Sequence, residues 1–219
     1  MGKNDIVPLH NSPVYGKIRA RMNNRLGAVY SSLYSFWRAR MATAGQGSLT
    51  HRDSYSIVLH DQVTEIICKN DLTKSPDELL ALLLPKGPKG GNSFDRALKA
   101  AETVMMECWA DERRFPRPPV IIFLSDGIAS VSNINVQRLF RQAAQMGKVL
   151  SLHAILFGPI ETSTGLQRMI TVALDEQSKT PTSTSTPSSF HKALDTVNLA
   201  QTFLGIAESL RKPRGALIQ

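Results

Sequence analysis

The sequence predicts an α/β fold: an open, doubly wound, mostly parallel sheet with helices on both faces and one antiparallel strand at its edge. Three observations predict it. "VIIFLSDG" and "VLSLHAILF" are short, nearly unbroken apolar runs, the pattern of strands covered on both faces. Around them stand segments whose apolar residues recur every three or four positions, so strand and helix alternate along the chain. Earlier, "SYSIVLHDQVTEIICKN" alternates and is rich in β-branched residues around a short turn, which predicts a hairpin.

Taken in order, Ile18, Met22, Leu26, Val29, Leu33 and Phe36 predict one long amphipathic helix from Gly16 to about Ala44. Within it Leu33, Phe36 and Trp37 face a core, with Arg38 and Arg40 in solvent. After the break at "AGQGS" come the hairpin strands, about Ser54 to His60 and Val63 to Lys69. Ser75 and Pro76 then supply the cap and first position of a short helix, stopped by Pro85 and Gly87. Phe94, Leu98, Ala101, Met105 and Cys108 mark a second amphipathic helix. A helix from about Asn135 to Met146, a strand from Val149 to Phe157 and a helix around Gly165 to Leu174 follow. The polar "KTPTSTSTPSS", Lys179 to Ser189, predicts a mobile surface loop. A last helix runs from about Leu194 to Arg211, and residues 212–219 form a tail.

Composition bounds the function. With 219 residues and 42% hydrophobic content, the chain can bury one sizeable core. No window is long and apolar enough for a membrane span, and Met1 to Pro13 lacks the apolar stretch of a signal peptide. The expected setting is therefore intracellular, cytoplasmic or nuclear, with no membrane partner. Cys68 and Cys108 lack metal-ligand or redox spacing, so buried, inert thiols are expected. A net charge of +8 invites a nucleic-acid reading, but the basic residues, Arg25 and Arg40 among them, form no run and suit solvated helix faces.

Two loops could carry chemistry. "PKGPKGGNS" has its lysines too early for a phosphate-binding loop, and a helix rather than a strand precedes it. Gly90 and Gly91 suit a sharp turn there, and Asn92 or Ser93 suits the cap of the following helix. In "FLSDG", Ser125 and Asp126 end a buried strand and Gly127 lets the chain turn. Asp126 reads either as a cap for the next turn or as an oxygen ligand for magnesium, which favours carboxylates, hydroxyls and water.

"GGNSFDRAL", then "VIIFLSDG" after a helix and a loop, the "SYSIVLHD" strand and the terminal helix together resemble a von Willebrand factor type A domain, over roughly Gly16 to Arg211. The flavour is that of intracellular, fungal-like members. The resemblance implies a Rossmann-like sheet with a metal-ion-dependent adhesion site at its carboxyl edge. Of the three parts that site has in the family, the strand-ending aspartate is Asp126. The threonine of a Gly-Gly-Thr loop falls on Asn92, with Ser93 as a substitute. The Asp-x-Ser-x-Ser loop after the first strand finds only "HNSPV", in which Ser12 survives.

"IVPL" is a poor central strand because Pro8 lacks an N–H, so residues 1–15 read as poorly ordered or as a degenerate first strand. Such a loss leaves the apolar neighbours of that strand exposed and the chain marginally stable. The expected metal ligands, if magnesium binds at all, are Ser12, Asn92, Ser93 and Asp126. The expected partner-binding loops hold Gly90, Gly91, Ser125 and Gly127. His153 reads as a packed strand residue, His10, His51, His60 and His191 are scattered, and no nucleophile elbow or zinc-hydrolase motif appears. The expectation is a non-catalytic module for an unidentified protein partner, with a degenerate cation site. The alternatives are a basic nucleic-acid-associated protein and a type A domain with a working magnesium site.

Overall fold

A computed structural model of the chain describes residues 1–43, 53–109, 118–179 and 186–210. The long first helix is two: α1, Tyr15–Arg19, and α2, Arg25–Thr43. The apolar spacing runs on across the junction, but Asn24 restarts the helix, its side-chain oxygen accepting from Gly27 N at 3.1 Å. The hairpin follows as β1, Tyr55–His60, and β2, Thr64–Asp71. α3, Pro76–Leu83, begins with a full capping box in which Ser75 and Glu78 each satisfy the other's backbone N–H, and Pro76 takes the first helical position.

Next come α4, Phe94–Trp109, and β3, Val120–Ser125. They lead to α5, Asn133–Gln145, β4, Ser151–Phe157, and α6, Thr164–Ser178. The chain then adds a strand the pattern does not announce, β5, Ser189–Ala193, before α7, Thr196–Ser209. Of the polar segment read as a loop, residues 180–185 lie outside the described residues. Its end is anchored: Ser188 is buried and its hydroxyl accepts from Leu152 N at 3.0 Å, which feeds Ser189 into β5. Residues 212–219 also lie outside the described residues.

β3, β4 and β5 form a parallel sheet in that order, β4 central, with Val120 to Ser125 paired to Ser151 to Leu156. β4 is buried throughout, and its residues alternate between two cores as a pleated strand requires. Leu152, Ala154 and Leu156 face α4, α5 and α6, whereas Ile155 and Phe157 face α2, α3 and α7. Helices therefore cover both faces, as the sequence predicts. The hairpin departs from the expected single sheet: β1 and β2 pair only with each other among the described residues. Between β1 and β3 lies a cavity of about 1880 Å³.

Residues 1–14 form no strand, yet they are tied down. Leu9 N donates to Ser31 Oγ at 3.1 Å, and the Thr196 hydroxyl donates to Val7 O at 2.5 Å. Arg25 N and Leu26 N donate to the carbonyls of Lys3 and Met1, so this segment satisfies two of the free N–H groups at the start of α2. The aromatic stripe of α2 is core: Phe36 packs on Phe203 at 5.8 Å between ring centroids and Trp37 on Tyr55 at 6.3 Å. Arg40 is not in solvent. It is buried, forks onto Asp53 at 2.6 and 3.0 Å, and donates to Ala207 O. Cys68 and Cys108 are free thiols, half-buried rather than buried, and burial pushes both thiols up.

Candidate functional site

The carboxyl edge of the sheet gathers most of the predicted loop residues. β3 delivers Ser125 in a buried position, where its hydroxyl accepts from Gly127 N at 3.1 Å and from Asn92 Nδ2 at 3.3 Å. One serine thus ties the turn after β3 to the loop before α4. Gly91 has φ of +93°, and a Cβ there would stand 2.1 Å from Gln62 Cγ, so that turn admits only glycine. At Gly90 a side chain would meet open space. Ser93 is occupied by capping α4, its hydroxyl accepting from Arg96 N at 3.4 Å. Ser12 stands apart: its hydroxyl accepts from Val14 N at 3.4 Å, and among the described residues it has no hydrogen bond to Asn92, Ser93 or Asp126.

Asp126 faces cations from the chain itself. Its Oδ2 accepts from the Met1 ammonium at 2.5 Å and from Arg25 Nη1 at 3.3 Å. Arg25, only 2% exposed, also grips Asp5 with its Nε at 2.7 Å and with its Nη2. A guanidinium at the first position of a helix opposes the helix dipole, and the two carboxylates offset that cost. Hydrogen bonding from Arg25 holds the Asp5 carboxyl down at about 2, and the same bond raises Arg25 further. Gly158, just past β4, makes the room: its φ is +108°, and a Cβ there would stand 2.9 Å from Arg25 Nη1. Arg25 is therefore part of the sheet edge and not of a solvated helix face.

Arg25, Asp5 and Gly158 are the residues that sequence reasoning misses. The signal available was weak: an arginine directly after "NN", where a helix starts and an acidic residue is the usual choice. A second cluster is equally hidden. The parallel register sets His153 opposite Ser189, and the Ser189 hydroxyl lies 2.7 Å from His153 Nδ1 and 2.7 Å from His191 Nε2. Burial pushes His153 down to about 4, and His191 is lowered by the same cause. His153 is thus packed, as expected, and among the described residues its Nε2 has no partner.

No family model matches the sequence, and no curated protein matches it. Solved structures do match. The VWA domain of SpRpn10 is 13% identical, over 89% of this chain and 87% of that one, with a TM-score of 0.53. The fold is that of a von Willebrand factor type A domain. Proximal thread matrix protein 1 from the mussel byssus, in a form with a zinc-occupied MIDAS motif, is 11% identical with a TM-score of 0.57. The match covers 89% of this chain but 45% of the byssus protein, so the type A-like chain spans less than half the length of that relative. Among the described residues no three His, Cys, Asp or Glu side chains come together to hold a metal ion. None of the described helices is long and apolar enough to cross a membrane.

Proposed function

We propose that the chain is a non-catalytic, intracellular protein-interaction module of type A-like fold that binds a protein partner at the carboxyl edge of its sheet without a cation. The Arg25 to Asp126 ion pair carries this reading. A divalent ion needs a carboxylate free to offset its dehydration, and here the one carboxylate at the strand end is already neutralised by a buried guanidinium. The other positions fit magnesium poorly. Asn92 turns its amide nitrogen, a donor, toward Ser125, and Ser93 is spent as a helix cap. The zinc of the byssus protein has no matching cradle among these residues.

A protein partner is favoured by what the edge exposes. Val63, in the turn after β1, is 70% exposed and Ile128, just past Gly127, is 66% exposed. Binding residues sit disproportionately on loops positioned by a rigid scaffold, and these two exposed apolar side chains are so placed.

Affinity capture on the full chain tests the reading. The expected outcome is a protein retained equally in magnesium and in EDTA, and lost when Val63→Lys and Ile128→Asp are combined. Retention that collapses in EDTA and returns with magnesium contradicts it, as does equal retention by the double variant. Calorimetric titration with magnesium and manganese adds a direct check: no heat is expected from the native chain or from Asp126→Ala.

A further inference from the structure

Charge is distributed unevenly along the chain. Between Asp5 and Asp53 stand seven basic residues and no acidic one, so that stretch holds nearly all of the net charge of +8. Two of the seven are buried and matched, Arg25 by Asp5 and Asp126, and Arg40 by Asp53. Elsewhere Lys69, Lys74, Lys86, Arg138 and Lys179 also have carboxylate partners. Lys17, Arg19 and Arg21 differ. All three are exposed, and among the described residues none of them has an ion pair. Three unmatched cations within five residues make a local positive field that draws anions.

These cations stand on α1 and its exit, beside a stack of rings. Arg19 lies over Tyr15, its guanidinium carbon 5.8 Å from the ring centroid, and the exposed His10 ring lies against Tyr15 at 4.6 Å and 35°. The platform is held from below. Val14, Ile18 and Met22 are buried, and the loop carrying His10 is closed onto the helix by Ser12 N donating to Leu9 O at 3.0 Å and Tyr15 N to Ser12 O at 2.9 Å. Helical spacing sets Tyr15 and Arg19 on one rim of the exposed face of α1 and Lys17 on the other, with Gly16 and Ala20 between. A Cβ at Gly16 would meet nothing within 4 Å, so the space between the rims is open.

Three kinds of anionic partner suit a basic patch, and the rings choose among them. An acidic peptide would use the cations and leave the rings idle. A membrane surface asks for apolar side chains to insert, and none of the large exposed hydrophobic residues among those described lies before Met41. A nucleic-acid strand uses both features, its phosphates pairing with lysine and arginine and its bases stacking on aromatic rings and guanidinium planes. A duplex hides the base faces that such a stack needs, whereas a single strand presents them. We propose that the α1 surface, formed by His10, Tyr15, Lys17, Arg19 and Arg21, binds single-stranded nucleic acid, with phosphates on the three cations and a base on the exposed end of the ring stack. The proposal shares no residue with the protein-partner reading, which stands or falls on EDTA and on Val63 and Ile128.

Fluorescence anisotropy of a labelled oligothymidylate, titrated with the full chain at several salt concentrations, tests it. Parallel titrations with oligouridylate show whether the sugar matters, and binding of either strand carries the proposal. The logarithm of the affinity should fall with the logarithm of salt at a slope of about −2, as three phosphate contacts on a single strand require. Combining Lys17→Gln, Arg19→Gln and Arg21→Gln should weaken binding about tenfold or more and bring the slope toward zero. Tyr15→Leu should weaken binding about fivefold or more with the slope unchanged, and His10→Ala, at an exposed site that leaves the core untouched, should do the same. Four results overturn the proposal: no binding at low salt, native affinity in the triple variant, an abasic strand of equal length bound as tightly, or native affinity in His10→Ala and Tyr15→Leu alike. Polyglutamate or phosphatidylserine vesicles bound as tightly as the oligonucleotides also overturn it, because an acidic peptide or a membrane would then be the partner.

Discussion

β3 and β4 are neighbours in one parallel sheet with nearly the same apolar content, yet they are buried to different degrees. Every residue of β4 is buried, whereas Val120, Ile121, Ile122 and Leu124 of β3 are only half-buried. The difference is in neighbours rather than in sequence. β4 has a strand on each side and helices on both faces, and β3 has a strand on one side and a cavity on the other. A continuous apolar run predicts a strand made to be buried on both faces, and among the described residues β3 has a paired strand on one side only.

The largest effect is expected where the two strand ends are pinned together. Arg25 joins Asp126, after β3, to the room left by Gly158, after β4, and Arg25→Met leaves the carboxylates without their buried partner. Breaking such a pair costs about 3–5 kcal/mol, read as a lowered midpoint in urea unfolding. If the loss is under about 1 kcal/mol, Arg25 does not hold the edge together.

The comparison itself is sharpened by matched truncations. Ile155→Ala in β4, at a fully buried site, should cost about 3–4 kcal/mol, and Ile122→Ala in β3 about 1–2 kcal/mol, because part of that side chain already faces the cavity. Equal losses would mean that β3 is as well covered as β4.

Acidity should act on β4 through His153. Its folded pKa of about 4 lies below the ordinary 6.5, so the unfolded chain binds the proton first. The stability this buried neutral histidine contributes is complete above pH 6.5 and is lost as pH falls toward 4, by up to about 3 kcal/mol. Asp5 adds a separate loss only below its ordinary 3.8, as pH falls toward about 2. His153→Phe, which keeps the ring volume, should make the fall in melting temperature between pH 6.5 and 4 shallower, with His60 and His191, also lowered by burial, keeping part of it, while leaving the Asp5 limb below pH 3.8 in place.

The smallest effect is expected in the cavity. Ala101→Leu adds apolar volume where α4 lines the empty flank of β3, and a gain of about 0.5–1.5 kcal/mol should appear in thermal melts. The same change on the closed side, Ala154→Leu in fully buried β4, should destabilise by about 1–3 kcal/mol through overpacking.

These contrasts also show which parts of the molecule are legible in sequence. The α3 start was readable because its cap is local, Ser75 and Glu78 lying three residues apart. The hairpin, the strand-ending Asp126 and the turn at Gly91 were readable for the same reason. β5 was not, since "SFHKA" has no strand pattern of its own and is a strand because β4 offers it an edge. Arg25 was not, since its carboxylates lie 20 and 101 residues away in the chain. The division of the sheet was not legible: the sequence predicts one sheet with an antiparallel edge, and the cavity between β1 and β3 shows only in the fold. Local rules reach caps and turns, while a charge neutralised across the fold appears only when the chain is folded.

Residue-resolved hydrogen exchange of the chain alone tests the central contrast most directly. The amides of Leu152 to Phe157 should exchange only through global unfolding. Those of β3 that face the cavity should exchange at least a hundredfold faster than the β3 amides bonded to β4. Uniform slow exchange along β3, equal to that of β4, would contradict the account, because the flank of β3 would then be closed.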